Sequence, residues 1–307
     1  MTASPPAAAA VPGDNDAVRG GAAMALAMLA FIINDTMIKV LGLGLPMGEM
    51  LMVRGFFVVV IVAGLAWTTG ALKHLGSIFS RAVAVRTLAD LATTFLFLTA
   101  LLNMPIANAT AINQAVPFTI VVLSALFLGE KVGRRRIAAV VAGFCGVVLV
   151  VRPASSDFNA YALFALASMF TISLRDIVTR RIPAAVPASL IALSNALAVT
   201  VGGAVYSIFE GWRPLTMVET GVLLACALSL AVAYTFMVLA VRLADISTTA
   251  PFRYTVIVWS LIAGFVVFGD VPDITALFGI ALIAGSGLYT LVRERQIGRH
   301  GPSTSPR

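Results

Sequence analysis

Residues 106–132, "IANATAINQAVPFTIVVLSALFLGEKV", recur in outline at 246–272, "ISTTAPFRYTVIVWSLIAGFVVFGDVP". At an offset of 140 residues, Gly129-Glu130 falls on Gly269-Asp270 and Ser124 falls on Gly264. A fainter echo precedes it. "NDTMIK" (34–39) aligns with "RDIVTR" (175–180), so Asp35 meets Asp176 and Lys39 meets Arg180. The chain therefore reads as two related halves.

What each half is follows from composition. Of 307 residues, 60% are apolar and 11% charged, with mean hydropathy +0.99. Soluble domains run at about 45–50% apolar and about 25% charged. Apolar runs of about 20 residues recur, each able to span about 30 Å of hydrocarbon. The alternating segments of about 10 residues that a membrane β-barrel needs are absent. Helical spans are predicted at 20–41, 47–69, 84–103, 106–128, 135–151, 158–178, 187–209, 217–241, 246–268 and 273–292. Pro46, Gly70, Pro105, Pro153, Pro183, Pro214 and Pro272 punctuate the connections.

Five spans per half is an odd number, so the second half enters the membrane from the opposite face. The expected fold is an all-α polytopic membrane protein of ten transmembrane helices in two inverted five-helix repeats, 20–152 and 153–292. Residues 1–19 read as a disordered N-terminal tail and 293–307 as a cytoplasmic C-terminal tail. The N-terminal segment lacks the basic region of a signal peptide. The apolar run after it holds Asn34 and Asp35, so it reads as a retained first span.

A net charge of +7 raises the question of nucleic acid, but the basic residues flank apolar runs. With both termini inside, the cytoplasmic segments hold Arg19, Lys73, Arg81, Arg86, Lys131, Arg134, Arg135, Arg136, Arg180, Arg181, Arg242, Arg293, Arg295, Arg299 and Arg307. The other face holds only Arg152 and Arg213. The positive-inside rule thus predicts a multi-pass plasma-membrane protein, in a bacterial inner membrane, with both termini cytoplasmic. "GEKVGRRR" (129–136) reads as an anchor at anionic lipid headgroups. Cys145 and Cys226 lie in apolar runs and read as packing residues.

The ten spans, Arg54 in the second, "ANATAINQAVP" followed by "FLGEKV", and "APFRYTVIVWS" followed by "FGDVP" carry a resemblance. Over residues 20–292 the chain resembles the drug/metabolite transporter superfamily, of the ten-span EamA type. That resemblance implies export or uptake of small organic metabolites through a central cavity, without ATP. Asp270 stands where members of the family commonly carry Glu.

Charges inside the spans are the candidate site, because a lone charge at bilayer depth costs several kcal/mol unless it is paired or hydrated. Asp35 and Lys39 lie four apart and share a helix face. They are either a self-neutralising pair or, with Asn34, part of a transport path. Arg54 either snorkels outward, pairs with Asp35 or Glu49, or holds an anionic group of a substrate. Arg253 shares a helical face with Ile257, Ser260 and Gly264, and its repeat mate Asn113 with Pro117 and Ser124. This is either ordinary packing, with the Arg head escaping to the interface, or a cavity lining, with Gln114, Tyr254 and Trp259 beside it. Pro117 weakens its span and is a candidate hinge. Arg175 and Asp176 are adjacent and so expected on different faces, while Asp90 follows Arg86 by four as a structural pair.

Several classes lack their residues. There is no GxxxxGK[ST] phosphate loop, no HExxH and no GxSxG, and the only histidines are His74 and His300. No enzyme activity, cofactor or metal is expected. "NAT" at 108–110 matches a glycosylation sequon but lies at membrane depth. The expected function is secondary active transport of a small polar or amphipathic metabolite, an amino acid or other zwitterion, by alternating access. Partners would be that metabolite, membrane lipids and a coupling proton or other ion, in a monomer or homodimer. The rivals are an intramembrane enzyme on a lipid-linked substrate, using Asp35, Glu49, Asp90 or Asp176, and a solute channel.

Overall fold

The computed structural model describes residues 14–129, 132–153, 158–183 and 185–299. Its α-helices are α1 Asp14–Leu41, α2 Met47–Thr68, α3 Arg81–Asn103, α4 Ile106–Asn113, α5 Val116–Leu128 and α6 Arg134–Val151. They continue as α7 Ala162–Thr179, α8 Ala188–Glu210, α9 Met217–Leu243, α10 Ile246–Thr249, α11 Thr255–Ala263 and α12 Ile274–Arg299. No strand occurs among the described residues.

Nine helical runs among the described residues are long and apolar enough to cross a membrane. The tenth expected span, α6, opens on Arg134, Arg135 and Arg136, leaving Ile137–Val151 as its apolar part. That part is about 22 Å long at 1.5 Å per residue, short of a full crossing unless the arginines reach outward to the headgroups.

The packing is closed under exchange of the halves. Four helix pairs dominate: α1 with α9, α2 with α8, α3 with α7, and α6 with α12. Replacing each helix by its repeat mate turns α1–α9 into α7–α3 and leaves α2–α8 and α6–α12 unchanged. It also turns α1–α11 into α7–α5 and α2–α9 into α8–α3, and both contacts are present. The two self-mapping pairs close on reciprocal glycines. A Cβ on Gly48 would lie 2.9 Å from the Gly203 carbonyl oxygen, and one on Gly203 would lie 2.9 Å from that of Gly48. Gly146 and Gly279 meet in the same way, each at 2.7 Å. Helices in lipid gain by such close backbone approach, since apolar side chains alone do not drive them together.

Several expectations need correction. The fourth and ninth spans are not continuous helices. α4 stops at Asn113, and α5 starts at Val116 with Pro117 in its first turn. Proline lacks the N–H that would bond the carbonyl of residue 113 and clashes with it. In the second half, Ala250–Tyr254 is a 3-10 turn holding Pro251, α11 follows, and Gly264–Phe268 is a π-helical turn. The two prolines occupy different repeat positions, yet Thr255, at the 140-residue offset, opens α11 opposite Ala115, the N-cap of α5. Both spans end on a left-handed glycine, Gly129 at φ 67° and Gly269 at φ 69°.

Residues 14–19 belong to α1 rather than to a tail, and 293–299 extend α12. The sixth span begins at Ala162, four residues later than expected at 158. Residues 71–79, read as loop, form a 3-10 run. The remaining tail residues 1–13 and 300–307, together with Glu130 and Lys131 of the basic turn, lie outside the described residues.

Candidate functional site

Two polar clusters lie on the helices through which the halves meet. The first joins α1 to α2. Asn34, buried in α1, donates from Nδ2 to Asp35 Oδ1 at 2.9 Å and accepts at Oδ1 from Arg54 Nη1 of α2 at 3.5 Å. Arg54 is 7% exposed and lies in electrostatic range of Asp35, Cys226 and Tyr234. Asn34 thus stands between a carboxylate and a guanidinium, supplying the polar contacts that charges away from water require.

The Asp35–Lys39 pair does not form. Lys39 Nζ donates instead to the carbonyl of Met104 and lies 5.2 Å from the centroid of the Phe268 ring. The reason lies in the backbone. Met104 is the extended C-cap of α3 and precedes Pro105, so its carbonyl has no helical donor. A lysine in the last turn of α1 meets that oxygen and the negative end of α3 together. Glu49, fully buried at the start of α2, accepts from the Arg213 amide at 3.4 Å and does not pair with Arg54.

The second cluster joins α3 to α7. Arg86 Nη1 lies 3.4 Å from Asp90 Oδ2, the pair expected from spacing. Arg175 Nη1 donates to Asp90 Oδ1 at 2.9 Å, and its Nε donates to Asp176 Oδ1 at 2.9 Å. The expected divergence of Arg175 and Asp176 is therefore wrong: the long guanidinium stem folds back over its neighbour and joins both carboxylates. From this network a polar ladder climbs towards the break in the fourth span. Thr93 Oγ1 donates to Thr171 Oγ1 at 2.7 Å, and Ser168 Oγ donates to Asn113 Oδ1 at 2.8 Å.

Tyr234 connects the two clusters and was not among the expected site residues. It lies in electrostatic range of Asp90, Arg175, Arg86 and Arg54, which come from α2, α3 and α7, and its ring meets Phe31 of α1 edge-on at 5.3 Å. A ring facing those helices points into the bundle, yet it is 53% exposed. About half of the Tyr234 surface is thus accessible although charged groups of α2, α3 and α7 lie in range of it. The available signal was a tyrosine standing in the apolar run 217–241. Ser168, Thr171 and Thr93 gave none, because hydroxyls bonded along a helix are routine in membrane spans.

The two broken spans meet at the other side of the repeat interface. Gln114 Nε2 donates to the Arg253 carbonyl at 3.5 Å, and α4 packs on α11. Arg253 and Pro117 are exposed, and the Arg253 guanidinium has no acidic partner among the described residues. Ile257, Ser260 and Gly264 are buried on the side of α4: a Cβ on Gly264 would touch Ile106 Cγ2 at 3.4 Å. Arg253 leaves that stripe because the 3-10 turn beneath it breaks the α-helical phase. Tyr254 and Trp259 do not join it. Tyr254 is buried over Gly287 of α12, and Trp259 Nε1 donates to the Ala25 carbonyl of α1 at 3.2 Å.

Comparison with known proteins then gives the lineage. Residues 18–152 match the EamA-like transporter family. The chain is 26% identical over 193 residues to an S-adenosylmethionine uptake transporter of Rickettsia bellii, covering 62% of this chain and 66% of that protein. It is 24% identical over 276 residues to a pseudopaline exporter of Pseudomonas aeruginosa, covering 87% and 94%. The match thus spans just under two thirds of the Rickettsia protein's length and nearly all of the Pseudomonas one. A solved crystal structure shares the fold with a TM-score of 0.59 at 20% identity, over 90% of this chain and 98% of its own. The match makes residues 18–152 an EamA-like domain, and the second half returns the same helix packing in a polytopic, all-helical chain.

Proposed function

We propose that this protein is a secondary active transporter of a small amphipathic organic metabolite, working by alternating access between its two inverted halves, residues 20–152 and 153–292. The observation that carries this reading is Tyr234, half exposed in mid-span yet turned towards four charged groups on three other helices. A hydrated, charged hollow between related halves is what a carrier needs near the membrane midplane. The packing symmetry supports the same reading, since a bundle that maps onto itself has two equivalent ways to rock.

In this account Asn34, Asp35, Arg54 and Tyr234 contact the substrate. Asp90, Arg175 and Asp176 hold the facing wall, and Asn113, Gln114, Pro117 and Arg253 form the movable rim. Lys39, Tyr254 and Trp259 position the helices around them. Asp90 and Asp176 pair with guanidiniums and Asp35 lies in electrostatic range of Arg54, while Arg253 has no acidic partner among the described residues. An excess of positive charge suits a substrate with a carboxylate, and the Phe31–Tyr234 pair suits a planar group. S-adenosylmethionine, the substrate named for the Rickettsia relative, has the carboxylate and the planar base but is a net cation through its sulfonium and ammonium, so it is tried beside zwitterionic and anionic aromatic metabolites. The basic flanks support a plasma-membrane site with both termini cytoplasmic. The Rickettsia and Pseudomonas relatives are named as transporters, and on that ground we read the protein as a carrier rather than an enzyme.

The test is uptake by proteoliposomes holding the purified protein, against labelled S-adenosylmethionine and a panel of zwitterionic and aromatic metabolites. Saturable uptake of one member, lost in Arg54→Ala, is expected. Uptake that fails to saturate would favour a channel, and no uptake across the panel with product formed from a lipid-linked substrate would favour an enzyme.

A further inference from the structure

The α6–α12 contact carries a feature that transport does not use. Between these helices lies a groove of about 350 Å³, lined by Arg135, Ala138, Ala142, Ala281, Gly285 and Tyr289 among others. The helices run antiparallel, crossing at Gly146 and Gly279. Arg135 lies 11 residues before one glycine and Tyr289 10 residues after the other, so the two stand at the same end of the groove. Ala281, Gly285 and Tyr289 are exposed at successive turns of one α12 face, and Arg293 follows a turn beyond Tyr289. Neither Arg135 nor Arg293 has an acidic partner among the described residues. The groove therefore has a long apolar floor of small residues, with two free guanidiniums and a phenol at one mouth.

We propose that this groove binds one anionic phospholipid. Its acyl chain lies along Ala138, Ala142, Ala281 and Gly285, and its phosphate sits among Arg135, Arg293 and the Tyr289 hydroxyl. The flanking surface is apolar: Val141, Phe278 and Val292 are exposed on these same two helices. A lipid chain is the one apolar solute always present there. A helix of a second copy is about 10–12 Å across, and two of its turns occupy roughly three times the groove's volume. It would lie over the groove and leave it empty, whereas an acyl chain fills it. The basic mouth selects the headgroup, because each arginine near the membrane surface strengthens binding of anionic lipid about fivefold.

The test is native mass spectrometry of the full chain in detergent, titrated with phosphatidylglycerol or with phosphatidylcholine of the same chains. One retained phosphatidylglycerol per chain is expected, bound at least fivefold more tightly than phosphatidylcholine. Arg135→Gln with Arg293→Gln removes that preference. Gly285→Leu removes binding of both lipids, and because a Cβ at Gly285 meets nothing within 4 Å it leaves the fold intact, as thermal unfolding will check. Equal binding of the two lipids overturns the proposal. So does retention of phosphatidylglycerol in Gly285→Leu, or a dimer that this substitution dissociates without changing lipid binding.

Discussion

Arg175 Nη1 of α7 meets Asp90 Oδ1 of α3 at 2.9 Å, an ion pair that ties the first span of the second half to the third span of the first. Asp90 also holds Arg86, and Arg175 also holds Asp176, so the four charges stand or fall together. Asp90→Asn leaves two guanidiniums with one carboxylate. Because both Arg175 and Asp176 are part-exposed, the cost lies below that of a fully buried pair, at about 2 kcal/mol. A double-mutant cycle with Arg175→Met, read by thermal unfolding, returns a coupling of about 1 kcal/mol or more.

Lys39→Met strands the Met104 carbonyl. A buried acceptor without a donor costs about 1–3 kcal/mol, and the loss appears as a lowered midpoint of unfolding. Asp35→Asn leaves that hydrogen bond in place and acts instead on Asn34 and Arg54 of the first cluster, so the losses of the two variants add in the double variant. Non-additive losses would show that the pair read from the sequence forms.

The reciprocal glycines set a sharper steric test. Gly203→Val places side-chain atoms against the backbone of α2 at Met52 and Gly48, and the helices must separate. Overpacking of this kind costs about 1–3 kcal/mol. Gly221→Val serves as the control, because a Cβ there meets nothing within 4 Å. Size-exclusion profiles after heating distinguish them, with the Gly203 variant aggregating at lower temperature.

Pro117→Ala restores the backbone donor that the break in the fourth span lacks and lets α4 run on into α5. The expected outcome is an unchanged or slightly raised unfolding midpoint, within about 1 kcal/mol, with substrate binding retained and uptake slowed several-fold. Binding by tryptophan fluorescence and uptake in proteoliposomes separate the two effects.

How far the sequence carries the reader differs by residue. The spans were legible because membrane helices must be long and apolar, and the Arg86–Asp90 pair because spacing of four enforces proximity. The Asp35–Lys39 pair had the same spacing and did not form. Sequence shows which partners a lysine has on its own helix, and it does not show that a carbonyl at the end of α3 is left without a donor. The site was half legible. Asn34, Asp35 and Arg54 come together, but Arg253 was placed on a helical face that a 3-10 turn removes. Pro251 was the clue to that turn. Tyr234 was hidden for a different reason: its importance comes from charges on three other helices, none near it in the chain.

The central claim is that the hollow beside Tyr234 opens in turn to the two faces of the membrane. The direct measurement replaces Cys145 and Cys226 by Ser, introduces Tyr234→Cys, and adds a membrane-impermeant maleimide to one face of oriented vesicles at a time. The account predicts labelling from both faces, with a bound substrate shifting the ratio. Labelling from neither face, with the protein folded, would contradict it.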